Sequence, residues 1–248
     1  MRWAIVQNLA AMPPMNPKKD RFLLAALLLL SLVPTLAGFS RLISLARGTN
    51  ITSDNARFFA APVPVVLHIV AVVLFGVLGA FQFPKSFRRK HLHWHRFAGR
   101  LLIPSGFVAA LSALWLTQSY PHVEGDGSTL YFIRWIVGTA MLMALIMAVV
   151  ALEHRRYPEH GAWMIRAYAL GMGAGTQVFT HLPWVLLVGK PHGLVRDTLM
   201  AAGWLINICV AEWVIRRTNN RTVGESRQVS TSLDKGIAAT AWLSRWDR

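Results

Sequence analysis

The chain has 248 residues, of which 54% are hydrophobic and only 15% are charged, against roughly 25% charged in a typical soluble domain. Its apolar residues run in blocks that the interior of a soluble protein of this length cannot bury, so the composition excludes an ordinary soluble enzyme. The formal net charge is +15, but the basic residues lie between the apolar blocks, where they would contact anionic lipid headgroups, and no nucleic-acid partner is predicted.

Six stretches of the chain are apolar enough to cross a bilayer, which takes about 20 residues of helix. Pro34, Pro104 and Pro183 lie inside these stretches and are expected to kink them, which neighbouring helices can accommodate. The sequence therefore predicts an all-α, polytopic transmembrane helical bundle of about six spans. In chain order the predicted spans are 21–40, 61–83, 97–118, 130–152, 162–188 and 198–215.

The distribution of Lys and Arg predicts the orientation of the bundle. These residues collect before the first span, between the second and third, between the fourth and fifth, and after the sixth. By the positive-inside rule both ends of the chain lie in the cytoplasm, as in a multi-pass protein of the bacterial cytoplasmic (inner) membrane. Residues 1–20 are then a cytoplasmic segment, 21–216 the six-helix transmembrane domain, and 217–248 a polar cytoplasmic tail that we expect to be disordered.

Two histidines lie at one predicted depth on different spans. His68 is near the start of the second span and His181 near the end of the fifth, which puts both roughly 8–10 Å below the outer surface at 1.5 Å per residue. Facing imidazoles are what a b-type haem needs for axial ligation of its iron. The single cysteine, Cys209, excludes covalent c-type attachment, which requires two. We therefore predict His68 and His181 as ligands of one haem.

Two further histidine motifs stand at the starts of the third and fifth spans. His95 begins the motif H-R-x-x-G-R, and His160 begins H-x-x-W-M-I-R. We predict that His95 and His160 ligate a haem iron or hydrogen-bond a quinone at the inner surface. The neighbouring side chains predicted to contact an anionic or carbonyl-bearing ligand are Arg96, Arg100, Trp163 and Arg166.

These motifs also have other interpretations. The run H-x-H-x-H from His91 to His95 can chelate zinc if it is extended, because alternate side chains then share a face, whereas a helix splays them apart. The arginines can instead anchor helix ends at the headgroups. Glu212, near the end of the sixth span, is expected to pair with Arg100 or Arg166 at the inner edge.

At the two motifs, H-R-x-x-G-R and H-x-x-W-M-I-R, the chain resembles the bacterial predicted membrane proteins catalogued as domain of unknown function 2306. The likeness runs roughly from the second span through the sixth and includes Gly76, Gly79 and Gln82. The resemblance implies a multi-pass helical protein, supplies no activity, and does not include His181 among its motif positions. The positions that it does name are His95, Arg96, Gly99, Arg100, His160, Trp163, Met164 and Arg166.

The leading hypothesis from the sequence is a membrane redox or electron-carrier protein that holds a b-type haem or a quinone. Its partners would be membrane lipid and another membrane redox protein. The alternative is a non-redox protein that binds or moves a small anionic or lipid-like molecule, with a structural or assembly role as the default if neither ligand exists. No motif of a soluble hydrolase or of a phosphate-binding loop is present, and whether the protein is an enzyme is left open.

Overall fold

The computed structural model describes residues 17–48, 51–53, 55–121 and 125–243, with side chains as far as residue 220. Within these ranges the chain is helical and no strand is formed. In chain order the helices are α1 (Pro17–Arg47), α2 (Ala56–Ala60), α3 (Pro62–Ala80), α4 (Lys85–Lys90), α5 (Leu92–Ser119), α6 (Ser128–Glu153), α7 (Tyr157–Gly171), α8 (Gly173–Leu187) and α9 (Gly193–Leu243).

Five of the described helices are long and apolar enough to cross a membrane, namely α1, α3, α5, α6 and the Gly193–Asn220 part of α9. They match five of the six predicted spans, and the predicted membrane helical bundle is confirmed. The remaining span, 162–188, is divided at Met172 into α7 and α8, each of 15 residues. Glycines on both sides of Met172 lower the helix propensity at this point.

The helices pack as a ring. Helix α3 packs against α5, α5 against α6, and α6 against α7. Helix α1 completes the ring by contacting α3 on one side and α8 on the other, while α9 packs against α6, α7 and α8. Several helices therefore border the centre of the ring.

The ring is held together by large side chains that fit over small ones. Phe75, Leu102, Leu145 and Tyr168 are buried beside a set of buried alanines. Small residues let membrane helices approach closely enough for van der Waals contact, since lipid offers no hydrophobic driving force between them. The Tyr168 hydroxyl also donates a hydrogen bond to the Gly76 carbonyl at 2.7 Å, so α7 is fixed to α3.

Two local features bear on the expectations from the sequence. Helix α9 continues beyond the membrane span to Leu243, while the disorder expected for the tail 217–248 stays a prediction. The chain contains no proline after Pro191, so no proline interrupts this helix. Residues 92–95 begin α5, so the extended arrangement required for zinc chelation by His91, His93 and His95 is not formed. The first residues of the predicted segment 1–20 lie outside the described residues.

Candidate functional site

A cavity of about 370 Å³ lies inside the ring, and we call it the central cavity. It begins where α2 and α3 meet and runs along α3 as far as Gly76. Its deep end, the floor, is apolar and is lined by Gly76, Met141, Leu170, Gly171 and Met172. Its opposite end, the mouth, is lined by Arg57, Phe58, Tyr120, Tyr131 and Arg134.

His68 lies on the wall of the central cavity, between floor and mouth. Its Nδ1 is 3.1 Å from the carbonyl oxygen of Ala109 and 3.1 Å from the hydroxyl of Ser112 on α5. Because a carbonyl can only accept, Nδ1 carries the hydrogen, and Nε2 of the neutral ring is an acceptor. Within the described part of the chain Nε2 has no hydrogen-bond partner, so this nitrogen can bind a ligand group in the cavity.

The structure gives His181 different surroundings. His181 does not line the central cavity, and its Nδ1 is 2.8 Å from the carbonyl oxygen of Gln177 on its own helix. The residues of α8 that line the cavity are Ala174, Gly175 and Gln177, and the Gln177 amide nitrogen donates to the Met200 carbonyl at 3.0 Å. The structure thus does not bring His68 and His181 together on one cavity, and the haem shared between them stays a prediction.

The mouth of the cavity is basic. Arg134 lines the cavity, and its guanidinium donates to Oδ2 of Asp126 at 3.0 Å. The Arg196 guanidinium is 3.0 Å from the other oxygen of the same carboxylate, which is only 2% exposed. Two guanidiniums thus share one buried carboxylate, and the group keeps a net positive charge beside the cavity.

An aromatic contact covers part of the mouth. The Phe58 ring lies between two guanidiniums, those of Arg41 at 4.3 Å and Arg57 at 4.6 Å from the ring centroid. Phe58 also meets the Tyr120 ring edge-on, with centroids 5.7 Å apart. Burial raises the pKa of Tyr120, so the hydroxyl stays protonated and donates to the Ala61 carbonyl. These contacts join α2 to the end of α5 above the cavity.

The predicted inner histidines lie at the opposite end of the bundle, which we call the histidine end. His95 on α5 and His160 on α7 are close enough for their charges to interact. The His160 ring is fixed by a contact of 2.9 Å between Nδ1 and the Ala148 carbonyl of α6. Nδ1 of His95 is buried and has no hydrogen-bond partner among the described residues. The structure therefore brings these two predicted site residues together, away from the central cavity.

The predicted arginines divide into two groups. Arg166 makes a bidentate ion pair with Glu212, which confirms one of the two pairings expected for this carboxylate, and its guanidinium lies 4.5 Å from the Trp163 ring centroid. Arg166 therefore joins α7 to α9, and Trp163 of α7 packs against its guanidinium. Arg96 and Arg100 are exposed on α5 and do not line the central cavity.

Sequence reasoning missed the residues at the mouth. Arg134 lies inside the predicted fourth span, 130–152, and an ionisable side chain within a span is a functional candidate by default. Arg57 and Asp126 lie in connecting segments, where nothing in the sequence distinguishes them from other surface charges.

Among the described residues no three His, Cys, Asp or Glu side chains form a group that could hold a metal ion. Comparison with known families gives one result. The model of a family described as "Predicted membrane protein (DUF2306)" matches residues 65–215. The matched region begins within α3 and ends within α9, so it includes His68, Arg134 and both motifs of the histidine end. No curated protein and no solved structure matches the chain.

Proposed function

The chain belongs to the DUF2306 family of predicted membrane proteins, and we propose that it binds a small amphipathic molecule in the central cavity. The ligand's polar end carries a negative charge or a carbonyl oxygen and lies at the mouth, beside Arg134. Its apolar end points to the floor. The protein contacts membrane lipid, and the proposal places it in the bacterial cytoplasmic membrane with the mouth facing outward. The distribution of Lys and Arg supports that orientation.

One observation carries the proposal, namely that an arginine, Arg134, lines a cavity whose floor is apolar. Ligand sites are typically cavities of about 300–1,000 Å³, mostly apolar, with a few polar groups that fix the ligand's orientation. The central cavity has this composition, with Arg134 at the mouth and Met141 and Met172 at the floor. Arginine binds carboxylate and phosphate oxygens through paired N–H groups. An amphiphile with an anionic headgroup matches both ends of the cavity.

Trp204, which lines the cavity, supplies the test. The protein is placed in phosphatidylcholine nanodiscs and titrated with dodecanoic acid that is brominated in its chain, because bromine quenches the fluorescence of a tryptophan that it contacts. Lipid-facing tryptophans will be quenched in proportion to the acid dissolved in the lipid. In the parent protein we expect an additional component of the quenching that saturates with the acid concentration, and we expect the Trp204→Phe variant to lack it. If the titrations of the two proteins have the same shape, the cavity does not bind this amphiphile.

A second candidate function is electron transfer, and the fixed ring of His68 favours it. Metal-ligating histidines usually donate their other ring nitrogen to a carbonyl or carboxylate, which fixes the tautomer, and the Ala109 carbonyl has that relation to Nδ1 of His68. Nε2 could then bind a haem iron or accept a hydrogen bond from a reduced quinone. The chain fits a b-type haem only partly, because His68 would supply one imidazole to hold it while His181 does not line the cavity. Another membrane redox protein would be the partner.

An absorption spectrum of the purified protein, oxidised and then reduced with dithionite, tests the haem version. A Soret band that sharpens and shifts on reduction supports it, and the lack of haem on extraction contradicts it. The quinone version is tested by equilibrium dialysis of radiolabelled dodecanoic acid against the protein, with and without a short-chain benzoquinone. Loss of bound acid on addition of the quinone supports a shared quinone site, whereas unchanged binding contradicts it.

A further inference from the structure

We infer that α1 is a movable wall of the central cavity and that the ligand reaches the cavity from the bilayer, past this helix. The inference rests on the proposed function and names its ligand class more narrowly. The ligand is an amphiphile dissolved in the lipid phase, with a hydrocarbon or isoprenoid chain and an anionic or carbonyl-bearing headgroup.

Helix α1 is a wall of the cavity but is hardly embedded in the protein. Ser31, Pro34 and Thr35 line the cavity. Of the 31 residues in α1 only Ser31 is buried, and its hydroxyl bonds to the Leu28 carbonyl of the same helix. The other long helices bury several residues each, such as Phe75 on α3. Segments with few buried contacts open at the lowest free-energy cost.

The middle of α1 is held by contacts at glycines. A Cβ atom at Gly38 would lie 2.9 Å from Cγ2 of Ile69 on α3, and one at Gly175 of α8 would lie 2.1 Å from the Leu30 carbonyl oxygen. Pro34 has no N–H, so the carbonyl four residues earlier, that of Leu30, loses its helical partner. The helix therefore presents this carbonyl to the Gly175 backbone at the level of the cavity, and a Cα–H···O contact of this kind is much weaker than an N–H hydrogen bond.

Polar contacts tie α1 at its two ends instead. Near its start, Oδ2 of Asp20 accepts a hydrogen bond from the Ser86 backbone N–H at 2.6 Å. Near its end, Arg41 lies over the Phe58 ring. A helix that is tied at both ends and contains a proline, Pro34, in its middle can bow outward there without leaving the protein. Helix α1 also lies outside the matched region 65–215, whereas nearly all of the other membrane helices lie inside it.

The alternative route, through the mouth, is obstructed. Phe58 and Tyr120 meet above the cavity, and the Tyr120 hydroxyl is bound to the Ala61 carbonyl. Asp126 ties α6 to α9 through Arg134 and Arg196. A route between membrane helices, by contrast, requires no desolvation of the ligand's apolar chain, because both the bilayer and the floor of the cavity are apolar.

A disulfide between α1 and α3 tests the inference. The Cβ position at Gly38 lies 3.9 Å from Cβ of Ile69, within the range of about 3.5–4.5 Å found in disulfides. The double variant Gly38→Cys, Ile69→Cys is made with Cys209→Ser, so that no other thiol is present. The rate of saturable Trp204 quenching by the brominated dodecanoic acid is then measured in nanodiscs. The controls are the reduced double variant and the Ile69→Cys single variant.

We expect oxidation to slow the quenching at least tenfold and dithiothreitol to restore the rate. Equal rates in the oxidised and reduced proteins would overturn the role of α1 while leaving the proposed function intact. If no form shows saturable quenching, the proposed function fails and this inference fails with it.

If the double cysteine variant does not fold, a second variant tests whether α1 is a movable wall. Gly175→Ala places a methyl group against the Leu30 carbonyl, so α1 must move outward and the quenching should become faster. Gly161→Ala is the matched control, because a Cβ at Gly161 meets nothing within 4 Å. A folded Gly175→Ala protein with the same quenching rate as Gly161→Ala contradicts a movable α1.

Discussion

Arg166 and Glu212 are joined by two hydrogen bonds, from Nε to Oε1 at 2.5 Å and from Nη2 to Oε2 at 3.0 Å. Bidentate pairs between guanidinium and carboxylate are among the stronger polar contacts in proteins. Because the guanidinium also stacks on Trp163, three side chains form one joint between α7 and α9. The motif H-x-x-W-M-I-R thus contributes to the assembly of the bundle through two of its residues.

Glu212→Gln tests this joint. The substitution leaves the Arg166 guanidinium without a counter-charge, and we expect it to lower the free energy of unfolding by about 1–3 kcal/mol. The measurement is the thermal unfolding midpoint in detergent. The matched control is Glu159→Gln, which removes an ion pair with Arg156 whose two side chains are 49% and 53% exposed and which should change the midpoint little. Equal shifts from the two variants would contradict the structural role of the Arg166–Glu212 pair.

Asp197 fixes the start of α6 from a neighbouring helix. Its carboxylate is almost fully buried and accepts the backbone N–H groups of Gly127 at 2.8 Å and Leu130 at 3.1 Å. Asp197→Ala leaves both donors without an acceptor, so we expect a loss of about 1–3 kcal/mol in unfolding free energy. Asp197→Asn keeps one acceptor oxygen, so we expect it to lower the unfolding free energy by less than Asp197→Ala does. If thermal unfolding gives the two variants the same midpoint, the two N–H bonds do not explain why this aspartate is buried.

Gly79 is required by the close approach of α3 to α7. A Cβ at this position would lie 2.5 Å from Cε2 of the Tyr168 ring. Gly79→Ala must therefore displace the ring or separate the helices, and overpacking of this kind typically costs about 1–3 kcal/mol. Gly99→Ala, where a Cβ meets nothing within 4 Å, is the control and should be neutral or slightly stabilising. The measurement is the thermal unfolding midpoint of each variant. A midpoint for Gly79→Ala at or above that of Gly99→Ala would contradict the requirement for glycine at position 79.

Hydropathy predicted most of the fold because a membrane span is a property of a continuous stretch of sequence. It missed the division of the fifth span, since residues 162–188 remain apolar across Met172. That division accompanies a tertiary contact, in which Gly173 packs so closely on Trp204 that a Cβ would lie 2.0 Å from the indole nitrogen. Only the packed bundle reveals this contact.

The candidate site was predicted less completely, for a physical reason. The central cavity is lined by residues from α1, α2, α3, α5, α6, α7, α8 and α9, and which helix faces converge depends on packing. His68 was identifiable because a polar residue in an apolar span is expensive and therefore informative. Arg134 gives the same signal, but its position near the end of a span makes it look like an ordinary anchoring charge. The proximity of His95 to His160 followed from their positions at the same end of two spans.

The predicted sidedness can be measured directly. Ser53 precedes α2 near the mouth, and Lys90 ends α4 at the histidine end. Single-cysteine variants Ser53→Cys and Lys90→Cys, both with Cys209→Ser, are treated in intact cells with a membrane-impermeant maleimide. The positive-inside rule predicts labelling at position 53 alone. Labelling at position 90 in intact cells would reverse the orientation and place the mouth in the cytoplasm.

The proposed function depends most directly on Arg134. Both Arg134 and Arg196 pair with Asp126, but only Arg134 lines the central cavity. Arg134→Gln and Arg196→Gln are therefore matched variants, because each removes one guanidinium from the same carboxylate. A hydrogen bond to a charged group contributes about 1.5–3 kcal/mol, which corresponds to roughly 10–150-fold in a dissociation constant.

The decisive measurement is the dissociation constant of the brominated dodecanoic acid, taken from the saturable Trp204 quenching of the parent protein and of both variants in phosphatidylcholine nanodiscs. We predict that Arg134→Gln weakens binding at least tenfold and that Arg196→Gln stays within about threefold of the parent, as expected for a change that removes no cavity contact. Equal affinities in Arg134→Gln and the parent protein would contradict the proposed function, because the negative end of the ligand would then not lie beside Arg134 at the mouth.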